Sequence, residues 1–170
     1  MSGRFGIRPV TRADRERWLE LRSRLWPDHP SDELAREVDA FLAGGGLWNL
    51  GTLALPFAAF VADSPESGLV GFVEASLRPF ADRCRTSPVG YLEGWFVVPE
   101  FRRQGVGRAL VGAAEEWARS RGCREMASDA RVDNEVSERS HRALGYEVAH
   151  RLVHFRRDLA YSSGSRAEPP

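Results

Sequence analysis

The feature that most constrains the fold is the stretch 91–108, in which a β-like apolar run breaks at Pro99 and a helical pattern begins after two glycines. Its centre reads Arg102-x-x-Gly105-x-Gly107. Glycines allow backbone N–H groups to converge on an anion, and the dipole of a helix N-terminus favours negative charge. The stretch therefore predicts a strand, a phosphate-binding turn and a helix.

Two other interpretations of this turn are an ordinary strand-to-helix connection and a dinucleotide-binding fingerprint. The second would require the spacing G-x-G-x-x-G and an acidic residue downstream for the ribose. Neither accompanies this motif. The phosphate-binding turn is therefore the preferred interpretation.

Length and composition indicate one soluble domain. The 170 residues suffice for a single core, assigned to 1–159, and the Ser-, Gly- and Pro-rich segment 160–170 is predicted to be a disordered tail. Basic and acidic residues number 24 each, so the net charge suggests neither a nucleic-acid nor a membrane partner. Cys84 and Cys123 are interpreted as free thiols. We expect a cytoplasmic protein without a metal site.

The remaining pattern predicts an α+β domain with a mixed, mainly antiparallel sheet. The predicted order is β-α-α-β-β-β-α-β-α-β, residues 47–55 stay unassigned, and 79–88 is expected to be a functional loop. The predicted strands are 5–10, 57–62, 69–78, 91–98, 124–130 and one or more within 146–159. The predicted helices follow Thr11, Ser31 and Gly105, and a short one covers 136–144.

Several segments carry a family resemblance. From Val97 onward, the pattern V-x-P-x-x-R-x-x-G-x-G resembles the acetyl-CoA-binding motif of the GCN5-related N-acetyltransferase (GNAT) superfamily. Six further segments resemble the aminoglycoside 6′-N-acetyltransferases within it: Leu25-Trp-Pro-Asp-His-Pro30, Gly71-Phe-Val-Glu-Ala-Ser-Leu-Arg78, Thr86-Ser-Pro-Val-Gly-Tyr-Leu-Glu-Gly94, Met126-Ala-Ser-Asp129, Asn134 with Ser137, and His141-Arg-Ala-Leu-Gly-Tyr146.

The resemblance implies a GNAT fold, a splayed sheet flanked by about four helices, with acetyl-CoA as the co-substrate. Two neighbouring strands would part to admit the pantetheine arm. The backbone of Phe96, Val97 and Val98 would pair with this arm, and Asn134 and His141 would lie along it. The pyrophosphate would rest on the backbone amides of Arg102, Arg103, Gln104, Gly105, Val106, Gly107 and Arg108.

The resemblance also implies an aminoglycoside substrate, a polycation that carboxylates would bind. Glu93 and Asp129 would bind its amines, and Trp26 would stack on a sugar. Glu74 would bind substrate and, directly or through a water, remove the proton of the reacting amine. A backbone N–H of Phe96 or Val97 would stabilise the oxyanion. At position 141 many GNAT enzymes use a tyrosine to protonate the leaving thiolate, and this chain has histidine.

Structural alternatives exist for each of these residues. Glu74, Glu93 and Asp129 would otherwise form salt bridges with arginines, Trp26 would belong to the core, and His141 would hydrogen-bond to the backbone. Another amine acceptor and a non-catalytic binding module are the alternative functions. Two arginines in the loop 79–88 motivate the first of these. A homodimer through the apolar residues around 152–155 is also expected.

Overall fold

A computed structural model describes residues 5–44, 47–50 and 53–158. This part of the chain contains six strands and four α-helices. The strands are β1 (Gly6–Pro9), β2 (Leu47–Leu50), β3 (Leu53–Ser64), β4 (Gly68–Arg78), β5 (Val89–Val97) and β6 (Met126–Ser128). The helices are α1 (Arg15–Leu25), α2 (Ser31–Gly44), α3 (Val106–Ser120) and α4 (Glu135–Ala143).

The main sheet has the order β1-β3-β4-β5-β6, and β2 forms a hairpin with the first residues of β3. All neighbours are antiparallel except β5 and β6, which are parallel. Helix α1 contacts β4 and β5, and α3 contacts β3, β4 and β5. The predicted α+β class with a mixed, mainly antiparallel sheet is confirmed.

The core explains the helical spacing of apolar residues. Trp18 and Leu21 of α1 are fully buried, and so are Val106 and Leu110 of α3. Each such side chain contributes about 1.5–3 kcal/mol of transfer free energy when buried. These residues fix the two helices on the sheet, and so they fix the positions of the helix ends near β5.

Strand β5 has two irregularities that shape the centre of the sheet. The register with β4 passes from Glu74 opposite Gly94 to Ala75 opposite Leu92, so Glu93 is the extra residue of a β-bulge. The ladder with β6 covers only Gly90–Leu92. Beyond that point no described strand pairs with this side of β5, and a gap opens between β5 and β6.

Some predicted boundaries were wrong. Strand β3 begins at Leu53 rather than at residue 57, and β6 is confined to Met126–Ser128. Residues 47–50, which the sequence left unassigned, form β2. The predicted final strand is also wrong, because residues 146–158 contain no strand. Its apolar residues are largely exposed, and a strand is stable only when a neighbouring edge accepts its hydrogen bonds. The predicted tail, 160–170, lies outside the described residues.

Among the helices of the described segments, none combines the length and apolar character that crossing a bilayer requires.

Candidate active site

The turn between β5 and α3 presents a row of unpaired backbone donors. Arg103 and Gly105 both have positive φ, 60° and 86°, and the first backbone bond of the helix runs from the N–H of Ala109 to the carbonyl of Gly105 at 3.0 Å. Within the described ranges, the N–H groups of residues 103–108 have no recorded acceptor. Converging amides at a helix N-terminus form a binding site for phosphate groups.

The polar side chains of this turn hold it in shape instead of pointing at a ligand. Each of three side chains donates to one backbone carbonyl, which ties the turn to β5, to itself and to α4. The pairs are Arg102 Nε with Val97 at 2.9 Å, Gln104 Nε2 with Glu100 at 2.7 Å, and Arg108 Nη2 with Ala143 at 2.8 Å.

Gly107 is required by a neighbour from β5. A Cβ at this position would lie 2.6 Å from Cζ2 of Trp95, so the indole ring occupies the space that a side chain would need. The ring and the glycine backbone are therefore in direct contact at the start of α3. Because Trp95 belongs to β5, this contact links the phosphate-binding turn, called the anion site below, to the gap between β5 and β6.

The alternation of hydrogen bonds in β5 shows which amides face the gap. The N–H of Val98 donates to the carbonyl of Val70 on β4 at 2.9 Å. Because N–H groups of successive residues point to opposite sides of a strand, the amide of Phe96 also faces β4 and that of Val97 faces the gap. The carbonyl of Val97 accepts its bond from Arg102, on the same side. Of the two predicted oxyanion donors, the geometry favours Val97.

The bulge places Glu93 on the face of the sheet that α1 covers. Gly94 lies on this face, since a Cβ there would be 2.5 Å from Cη2 of Trp26. Glu93 accepts two bonds from Arg78, from Nε at 3.0 Å and from Nη2 at 2.7 Å, and one short bond from the hydroxyl of Ser76. Trp26 and Glu93 therefore lie on the same face of β5, and the salt-bridge alternative for Glu93 is confirmed.

Glu74 lies one strand further in and is only 2% exposed. Its Oε1 accepts from Trp18 Nε1 at 3.0 Å and lies 2.9 Å from Arg22 Nε in an ion pair. Arg22 also donates to Glu37 at 2.8 Å and covers the Trp26 ring, with Cζ 5.0 Å from the ring centroid. Burial raises the pKa of Glu74 to about 7, against the opposing effect of Arg22. Glu74 thus has both a salt bridge and a pKa suited to proton exchange near neutrality.

Asp129 directly follows β6 and is exposed. Its Oδ1 accepts the hydroxyl of Tyr91 at 2.7 Å. Burial and this carboxylate raise the pKa of Tyr91 well above its usual value, so the hydroxyl stays protonated as a donor. The salt bridge weighed for Asp129 is absent within the described ranges, and this carboxylate stays open to a cation.

His141 lies on α4, and its ring packs edge-on against the ring of Trp95, with the two centroids 5.6 Å apart. Nδ1 is 2.8 Å from the carbonyl of Ser137 and therefore carries the proton that this carbonyl accepts. Nε2 is 3.0 Å from Oγ of Ser128, the last residue of β6. The backbone hydrogen bond weighed for this histidine is present, and it leaves Nε2 directed toward the end of β6.

The last predicted residue, Asn134, caps α4, with its side chain accepting the N–H of Ser137 at 3.0 Å. Two arginines of the site were missed, although the sequence contained a signal for each. Helix periodicity places Arg22 on one face with Trp18 and Trp26, and strand periodicity places Arg78 on the face of β4 that carries Glu74.

The chain is similar to known acetyltransferases in sequence. The model of the Acetyltransferase (GNAT) family matches residues 16–146. An aminoglycoside N(6′)-acetyltransferase type 1 of Klebsiella aerogenes is 44% identical over 153 residues, which cover 90% of this chain and 96% of that protein. One of the same name from Stenotrophomonas maltophilia is 40% identical, over 92% and 95% of the two chains.

Solved structures of aminoglycoside acetyltransferases have a similar fold. The AAC(6′)-Iy structure in complex with the bisubstrate analog CoA-S-monomethyl-acetylneamine has a TM-score of 0.80 at 35% identity, covering 92% of this chain and 99% of that one. The aminoglycoside 6′-N-acetyltransferase AAC(6′)-Ih of Acinetobacter baumannii has a TM-score of 0.79 at 34% identity, covering 91% and 99%. The splayed sheet of this chain is therefore shared with structures that cover nearly its whole length.

Proposed function

Since this chain belongs to the acetyltransferase (GNAT) family, we propose that it is an aminoglycoside 6′-N-acetyltransferase that uses acetyl-CoA. One observation carries the proposal. A single strand, β5, has unpaired amides along the gap, an anion site at its end and a carboxylate in its bulge. An acyl donor with a phosphate tail and a cationic acceptor would therefore meet along one strand.

The described residues fit acetyl-CoA, which supplies an acetyl group activated as a thioester. The amides of 103–108 hold its pyrophosphate, and glycine at position 107 keeps this turn in place because Trp95 fills the space that a side chain would need. The amide of Trp95, which also faces the gap, holds the pantetheine arm as a neighbouring strand would. These residues fix the position of the reacting carbonyl.

The acceptor side binds and orients the aminoglycoside. Asp129 pairs with an ammonium group, and Trp26 offers a half-buried aromatic surface to a sugar ring. The Val97 N–H donates to the carbonyl oxygen on which negative charge develops as the neutral amine attacks. The donor is already oriented by the bond between its own carbonyl and Arg102, so little reorganisation is needed.

Three residues handle protons in this proposal. Glu74 accepts the proton of the amine through a water, because its own oxygens are enclosed and its pKa of about 7 suits a base at neutral pH. Nε2 of His141 lies 3.0 Å from Oγ of Ser128 and would pass a proton through this hydroxyl to the departing thiolate. The first transfer leaves a neutral carboxyl on Glu74, and proton exchange with solvent then returns Glu74 and His141 to their starting states.

The direct test is incubation with kanamycin or tobramycin and acetyl-CoA, followed by mass spectrometry. We expect the mass of one acetyl group on each antibiotic, and resistance in a susceptible host that produces the protein. A variant with Val97→Pro, which removes the proposed donor, is the matched negative control. No acetylation of any aminoglycoside with a 6′-amine would refute the proposal. Preferential acetylation of another small amine would reassign the acceptor.

The protein is proposed to be a homodimer that pairs through the apolar residues around 152–155. Val153 and Phe155 of this segment are 76% and 93% exposed, and Leu152 is also exposed. Apolar side chains grouped in a segment without a partner are typical of an interface. Light scattering should give twice the monomer mass for wild type and the monomer mass for Phe155→Glu. A monomeric wild type would refute this part of the proposal.

A cytoplasmic location follows from the same function, because acetyl-CoA is made and kept inside the cell. Cys84 and Cys123 are free thiols, as a reducing compartment permits. Fractionation of producing cells should recover the protein in the cytoplasmic fraction. Recovery from the periplasm would contradict this assignment.

A further inference from the structure

The guanidinium group of Arg78 occupies a site with the chemistry of a ligand cation site. Its Nε and Nη2 donate to the two oxygens of Glu93 at 3.0 and 2.7 Å, and its Cζ lies 3.4 Å from the centroid of the Tyr91 ring. A carboxylate on one side and an aromatic face on the other is an arrangement that binds ammonium groups. Here a cation of the protein itself occupies it.

The pairing with Arg78 neutralises the carboxylate of Glu93 and leaves that of Asp129 unpaired by any cation of the described residues. Glu93 is nearly enclosed, with a side chain 9% exposed, and both of its oxygens are engaged by Arg78 and Ser76. Asp129 is exposed, and within the described ranges it accepts only the hydroxyl of Tyr91. An approaching cation thus finds one open carboxylate and one that is already neutralised.

We propose that Arg78 is a specificity-determining residue, because it competes with the ammonium groups of a polycationic substrate for Glu93. The inference rests on the proposed function of the site. A substrate ammonium pairs with Glu93 only when it displaces the guanidinium group. Arg78 therefore weakens the binding of acceptors that carry several positive charges. An acceptor whose single amine is the reacting one gains nothing from Glu93, and its binding is independent of Arg78.

The first experiment compares acceptors in steady-state kinetics. Arg78→Met removes the charge and keeps an apolar stem over Tyr91. The KM for kanamycin should fall about tenfold, as expected for one charge-assisted contact, while kcat stays close to that of wild type. The KM for 6-amino-6-deoxy-D-glucose, which carries one amine, should not change. Arg78→Lys keeps the positive charge and is the matched control, with a much smaller decrease.

The second experiment tests whether the effect passes through Glu93. In a double-mutant cycle, Arg78→Met in a Glu93→Gln background should give no decrease in the KM for kanamycin. A decrease that persists there would overturn the proposal, as would an unchanged or higher KM in the single variant. Arg78→Gln, which keeps a neutral donor, carries the same expectations if thermal melting shows that Arg78→Met is unfolded.

A failure of the proposed function is distinguishable from a failure of this inference. A wild-type protein that does not acetylate kanamycin refutes the function. Isothermal titration with kanamycin measures the competition independently of turnover, and tighter binding to Arg78→Met than to wild type is the expected result. Equal binding to both proteins would overturn the role of Arg78, whether or not acetylation occurs.

Discussion

Gly94→Ala tests the contact that places an aromatic ring beside the gap. The added Cβ would lie 2.5 and 2.7 Å from Cη2 and Cζ2 of Trp26, and 3.3 Å from Cδ2 of Leu25. Carbon atoms in ordinary contact are about 3.5–4.0 Å apart, so the indole ring has to move by about 1 Å. The substitution therefore displaces Trp26 without changing its chemistry.

The size of the effect follows from two opposing contributions. Overpacking costs about 1–3 kcal/mol, and the reduced entropy of the unfolded chain offsets about 0.4–1 kcal/mol of this. The free energy of unfolding should fall by about 0.5–2 kcal/mol. Loss of the aromatic contact with a sugar, about 0.5–1.5 kcal/mol, should raise the KM for kanamycin about 2- to 10-fold. The KM for acetyl-CoA should stay unchanged, because the phosphate-binding amides lie at the start of α3, on the other face of the sheet from Trp26.

Urea unfolding and steady-state kinetics measure both quantities. Gly112→Ala is the matched control, because Gly112 lies exposed in the middle of α3 and an added Cβ meets nothing within 4 Å. That variant should gain about 1 kcal/mol from helix propensity and keep both KM values. If Gly94→Ala were as stable as Gly112→Ala and bound kanamycin as wild type does, the placement of Trp26 on Gly94 would be refuted.

Three further variants test other parts of the site. Asp129→Asn should raise the KM for kanamycin about tenfold at low salt, and by less at high salt because Asp129 is exposed. The KM for acetyl-CoA should not change, and an equal rise in both KM values would contradict the role of Asp129 in binding the acceptor. Gly107→Ala, whose Cβ would lie 2.6 Å from Trp95, should raise the KM for acetyl-CoA about 2- to 10-fold, and an unchanged value would disprove the anion site. Glu74 has a raised pKa in the folded state, so its contribution to stability is complete below its unfolded pKa and is lost as the pH rises through about 7. The urea midpoint of wild type should therefore fall relative to that of Glu74→Gln between about pH 5 and pH 8, and parallel pH dependences would contradict the shift.

Local sequence was sufficient for the turn at the end of β5. Proline and glycine act on the backbone within a few residues, so Pro99 and Gly105 marked the end of the strand and the start of α3 without knowledge of the fold. The apolar spacing of α3 around Leu110 was also predictable, because it depends only on residues three and four positions apart.

Contacts between distant residues were not predictable in this way. Glu74 and Arg22 are far apart in sequence, and their ion pair exists only because α1 crosses β4. The bulge at Glu93 reverses the alternation of β5, and this reversal decides that Val97 and not Phe96 presents its amide to the gap. No local pattern indicated that one residue of β5 would be left out of the ladder.

The segment 146–158 was mispredicted for a different reason. Its apolar residues have the composition of a strand, but composition does not supply an edge to pair with. In the described part of the chain β6 ends the sheet as an edge strand, and the segment pairs neither with β6 nor with the open side of β5. Composition alone therefore did not decide whether the segment would form a strand.

We propose that β5 pairs with the acyl donor through the amides that its bulge turns toward the gap. Residue-resolved amide hydrogen exchange with and without acetyl-CoA tests this pairing. Acetyl-CoA should slow exchange at Trp95 and Val97 and across 103–108, while Phe96, already bonded to β4, should change little. Protection at Phe96 without protection at Val97, or unchanged exchange across 103–108, would contradict the account.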